Sequence, residues 1–165
     1  MSKKMEKALH KAAILTFEEL GFLFAMNDQY GEQEEGSPPA GEANISASVR
    51  FHGPLSGMLV VTASPDLLPA VAANMLGEEE IPSLAQQYDS LGEISNVICG
   101  NVLPAIAGTD KVFHIAAPVV AEGNYAEETE PAAAVHLGLE QGHADVLLFI
   151  RAEGSRRTSR AGTGR

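Results

Sequence analysis

The hydrophobic pattern along the chain changes period several times, and each change marks an element. Residues 3–26 place Leu9, Ala13, Thr16, Leu20 and Leu23 at spacings of four and three, one apolar stripe of an amphipathic helix. Residues 31–42, GEQEEGSPPAGE, are Gly, Pro and Glu without apolar periodicity and predict an acidic exposed loop. From residue 43 the period becomes two: Ile45, Ala47, Val49 and Phe51 alternate with Asn44, Ser46, Ser48 and Arg50, the signature of a half-buried strand. His52-Gly53-Pro54 turns the chain into a second strand at 57–62, giving a hairpin. Ser64-Pro65-Asp66 opens a helix with Pro65 at its first position, and Gly77 stops it. Pro82-Ser83 opens another that runs to about Leu103, where Pro104 ends or kinks it. Strands are predicted at 113–121, 132–139 and 144–151. The order α-β-β-α-α-β-β-β contains no βαβ alternation, so the expected class is α+β, with long helices packed on a mostly antiparallel sheet.

Within residues 84–108 the helical period separates two faces. At about 100° per residue, Leu84, Leu91, Ile94, Ile98, Val102 and Ala105 share one direction and predict the buried side. Asp89, Glu93, Asn96 and Gly100 fall on the opposite side, at the spacing of neighbours on a helix surface. Glu93 and Asn96 therefore project side by side into solvent. Gly92 and Gly100 flank Asn96 by one turn, and a glycine inside a helix costs roughly 1 kcal/mol relative to alanine. Close approach of a partner explains that cost, with Val97 and Leu103 expected as apolar contacts beside the polar group. The ordinary alternative is a solvated polar face.

Charge narrows the partners. The chain has 165 residues, 45% hydrophobic, with 22 acidic residues against 11 basic and a net charge of −11. The four arginines at 156, 157, 160 and 165 leave 7 basic residues against all 22 acids in the remainder, a charge of −15. Such a balance disfavours nucleic acid and anionic membranes, which demand basic faces. The expected organisation is one domain over residues 1–153 and a basic disordered tail over 154–165. One cysteine, Cys99, excludes an internal disulfide; the five histidines show no ligand spacing, so no metal of the chain's own is expected. The absence of a leader pattern or an apolar run near 20 residues predicts a cytoplasmic protein.

Asp89, three residues, Glu93, two residues, Asn96 and then Gly100-Asn101 resembles the signature of the CheC, CheX and FliY phosphatases, which dephosphorylate the chemotaxis response regulator CheY. The stretch VRFHGPLSGMLVVTASPDLLPAVAANMLGEEE is similar to that family's hairpin and following helix, and Pro118 lies near its downstream proline. Glu18 and Glu19 are followed by Gly21 and Phe22, so the first helix carries no second Glu–Asn copy, and the single-site CheX type is closest. The resemblance implies a CheC-like fold, a homodimer, and a CheY-like receiver as substrate with Mg2+ on the receiver. It further implies that Asn96 orients the attacking water, that Glu93 docks on the receiver's lysine, and that Asp89 hydrogen-bonds at the rim or steers the partner. The alternatives are a non-catalytic receiver-binding module and a structural homodimer.

Overall fold

A computed structural model describes residues 2–27, 44–125 and 129–151. Its elements are α1 (Ser2–Glu19), β1 (Ala25–Asn27), β2 (Ile45–His52), β3 (Ser56–Ala63), α2 (Leu67–Leu76), α3 (Leu84–Ala107), β4 (His114–Ile115), β5 (Val119–Glu122), β6 (Ala133–Leu139) and β7 (His143–Arg151). One antiparallel sheet runs β1-β6-β7-β3-β2-β4, with β5 also paired to β2. The helices cover one face of it, α1 against β6 and α3 against β2 and β3, while α2 packs on α3. The class is α+β, as the hydrophobic pattern predicts.

The core lies between these layers. The inward positions of β2, β6 and β7 meet Leu9, Ala13 and Phe17 of α1, Leu67, Leu68 and Val71 of α2, and Leu91, Ile94, Ile98 and Val102 of α3. On the far face of the sheet, Met58, Val60 and Phe149 form a smaller cluster against Tyr125 and Leu147. Beside it the Ser46 and Thr62 hydroxyls share a hydrogen bond of 2.8 Å, and His136 Nδ1 meets Asp145 Oδ1 at 2.5 Å.

Several boundaries differ from the sequence reading. The first helix stops at Glu19 rather than Met26 because the chain turns through Phe22 at φ 54°, with the Leu23 N–H donating to the Phe17 carbonyl. The short strand β1 that follows pairs with β6 and was not predicted; three residues are too few to display a period. The second helix begins at Leu67, so Pro65 precedes it: the Ser64 hydroxyl donates to Asp66 Oδ1 and the Leu67 N–H to the Ser64 carbonyl, forming a turn before the helix. Its end is as predicted, with Gly77 left-handed at φ 68°. The strand expected over 113–121 is two pieces separated at Ala116–Pro118, where proline cannot donate to a ladder. The acidic loop at 31–42 and the tail at 154–165 lie outside the described residues.

Candidate functional site

α3 starts with a capping box. Ser83 accepts from the Gln86 N–H, and the Gln86 side chain accepts from the Ser83 N–H, so two of the helix's orphan donors are satisfied reciprocally. The helix then runs through Pro104 to Ala107 instead of ending near Leu103. Packing on both sides of it offsets the hydrogen bond that Pro104 cannot make to Gly100. Ser90 and Ser95, buried on its inner half, donate to the Gln86 and Leu91 carbonyls and leave no hydroxyl unsatisfied.

The outer face is the one expected. Asp89, Glu93, Asn96 and Gly100 are all exposed, while Leu91, Ile94, Ile98 and Val102 are buried. Glu93 and Asn96 stand about 4.5 Å apart along the axis, a carboxylate beside a neutral amide on a rigid element. Apart from its chain neighbours and the helix's own backbone, no heavy atom among the described residues lies within 4 Å of the position a Cβ would take on Gly100. Val97 is half-buried at the border.

Two expected docking positions are corrected, and the buried stripe is shorter than the period suggests. Leu103 is 1% exposed and belongs to the core, on a helix that packs against α1, α2 and β5 as well as β2 and β3. Gly92 is buried: a Cβ there would stand 3.1 Å from Pro118 Cγ and 3.6 Å from Val120 Cγ2. The close approach it permits is made by the chain's own β4–β5 segment, so it is not available to a partner. Leu84 and Ala105, assigned to the buried stripe, are exposed at the ends of the helix, beyond the reach of the sheet and its neighbours.

The structure adds a groove that the sequence reading missed. A cavity of about 550 Å³ lies between the ends of α1 and α2 and the first half of α3, with Asp89 and Glu93 at its lip. Leu20, Phe22, Met75 and Leu76 supply its apolar wall; Phe22 is 60% exposed and Leu76 44%. The left-handed backbone at Phe22 turns that ring outward while Leu23 enters the core. A bulky aromatic immediately after Gly21 at the end of the helical stripe is the one signal in the sequence for it.

Cys99, on the same helix, is fully buried, and desolvation pushes its thiol up to about 12. It is an inert packing residue and not a nucleophile. Among the described residues, no group of three His, Cys, Asp or Glu side chains could hold a metal ion, and no helix is long and apolar enough to cross a membrane.

The family model described as "Chemotaxis phosphatase CheX" matches residues 45–138, more than half of the chain and the whole of β2 through α3. The chain belongs to the CheX family. CheX-type folds recur among solved structures. The CheX crystal structure from Desulfovibrio desulfuricans is 20% identical with a TM-score of 0.70, over 89% of this chain and 99% of that one. CheX from Vibrio vulnificus is 18% identical with a TM-score of 0.67, over 92% and 99%. A CheX-CheY-BeF3-Mg2+ complex from Borrelia burgdorferi matches at 16% identity and a TM-score of 0.64, over 88% and 97%. No curated protein matches the chain. At these identities the structural likeness speaks for the CheX fold, and the family for phosphatase chemistry.

Proposed function

We propose that this CheX-family chain hydrolyses the aspartyl phosphate of a CheY-like receiver, with Asn96 and Glu93 as its working residues. The observation that carries the reading is the pairing of an exposed carboxylate and an exposed amide one turn apart on α3, with Gly100 open beside them. The CheX-CheY complex of Borrelia burgdorferi supports a receiver as the partner.

An amide offers one acceptor and donors without titrating. Its carbonyl oxygen accepts a hydrogen bond from a water and aims the water's lone pair at phosphorus. The P–O bond to water forms as the bond to the aspartyl oxygen breaks. The products are inorganic phosphate, which keeps the water's oxygen, and a free carboxylate. Positioning is the catalytic contribution, as for other phosphoryl transfers. Glu93 pairs with the receiver's lysine and sets the register of docking, a charge-assisted contact. The Mg2+ belongs to the receiver's own site. Asp89 and Glu93 border the groove, so an apolar side chain of the receiver seats against Phe22 and Leu76 while the phosphoryl group meets Asn96.

Exposed Val112, Ile115 and Val119 line the outer edge of the sheet at β4 and β5, and a homodimer formed along that edge is part of the proposal. Light scattering of the purified chain at twice the monomer mass supports it, and a monomer at all concentrations refutes it. The catalytic reading is tested by following phosphate release from a phosphorylated receiver. Asn96→Ala is expected to abolish the acceleration with binding retained, and Glu93→Ala to weaken binding. Tight binding by the native chain with unchanged decay of the phosphoryl group would establish a sequestering module instead.

A further inference from the structure

The β2–β3 hairpin end of the sheet carries a second site. Before residue 155 the chain has only two arginines, Arg50 and Arg151, and both line one pocket of about 760 Å³ at the β2–β3 hairpin end. They come from different strands, β2 and β7, with β3 between them. Arg50 pairs with Met58 and Met58 with Phe149, whose side chains form the cluster on the face away from the helices. His52 and Arg151, each two residues further along its strand, share that face. His114 stacks on His52 with ring centroids 4.9 Å apart.

Two features set this pocket apart from a solvated patch. In a chain whose residues before the basic tail sum to −15, no acidic side chain among the described residues lines it, and neither arginine has a carboxylate partner among them. Gathering two guanidinium groups without counter-charge is unfavourable by itself, and an anion would relieve it. Its other wall reaches the helix side of the sheet's end and is apolar, made by Leu55 and Ile150, half-buried side chains packed on the main core, beside Gly53 and Gly57. The volume falls in the range of small-molecule sites, and a mainly apolar lining with a few convergent polar groups is their usual composition.

We propose that this pocket binds a small anion whose phosphate or carboxylate adjoins a flat apolar body, the chemistry shared by mononucleotides and aromatic acids. The guanidinium groups take the anion in their planar forks, and the body lies against Leu55 and Ile150. The site is independent of Glu93 and Asn96.

The experiment is an amide NMR titration of the full chain with AMP, benzoate, adenosine and inorganic phosphate in turn. AMP, benzoate or both are expected to shift the amides of residues 50–57 and 150–151, and which of them does so identifies the kind of anion. Adenosine and phosphate alone should bind at least about tenfold more weakly, and the combined Arg50→Gln and Arg151→Gln change should weaken binding by about tenfold or more. Because both side chains are exposed, the glutamine variants keep the native spectrum, and each single variant provides a second reading. The proposal is overturned if neither AMP nor benzoate shifts these amides at about 10 mM, or if the glutamine variants bind as well as the native chain.

Discussion

Gly100→Ala separates what the fold demands from what docking demands. The position is inside α3, and apart from its chain neighbours and the helix's own backbone no heavy atom among the described residues lies within 4 Å of the added methyl. Stability should therefore rise by the helix-propensity difference alone, about 0.8–1 kcal/mol, which for a domain of this size is a rise of roughly 2–4 °C in melting temperature. A receiver that approaches closely at Gly100 would meet the same methyl as overpacking, roughly 1–3 kcal/mol, or about 5- to 150-fold in affinity. Asn96 is one turn away and unchanged, so KM for phosphorylated receiver should rise and kcat stay nearly constant. Thermal melts and steady-state phosphate release measure both sides. A lower melting temperature would refute the open-space argument, and a higher one with unchanged KM would refute close approach. Gly92→Ala supplies the internal contrast: its methyl would press within 3.1 Å of Pro118, so the same propensity gain is opposed and the melting temperature should not rise.

Three further outcomes follow from the packing. Leu103→Ala should cost about 2–5 kcal/mol in urea unfolding, since Leu103 is core; a loss of receiver affinity with less than about 1 kcal/mol of destabilisation would return it to the docking surface. Phe22→Gly removes a left-handed strain of about 1–2 kcal/mol together with the ring on the groove, so the melting temperature should hold or rise while receiver binding weakens; intact binding would exclude the groove from docking. The raised Cys99 thiol fixes a sign with pH. Its folded-state value near 12 exceeds the ordinary 9.0, so above pH 9 the unfolded chain releases this proton first. Stability then falls by up to about 1.4 kcal/mol per pH unit between 9 and 12. Relative to Cys99→Ala, the native chain should lose about 1.4 kcal/mol between pH 8 and pH 10; an unchanged difference would contradict the desolvation.

The sequence by itself determined the α+β class, the β2–β3 hairpin, the Gly77 stop, the Ser83 start and the exposed Asp89–Glu93–Asn96–Gly100 face. All of these rest on local physics: a helical or strand period decides which neighbours share a side, and caps and turns are chosen within a few residues. Tertiary structure decided what period cannot express, namely what covers each side. It placed Pro118 over Gly92 and took Leu103 into the core, and it left Leu84 uncovered at the end of α3. It turned Phe22 out beside Leu76 to make the groove, and it brought Arg50 and Arg151 from strands remote in sequence to one pocket. A glycine reads the same in a sequence whether its free side faces solvent or another strand, and only the packing of distant segments tells the two apart.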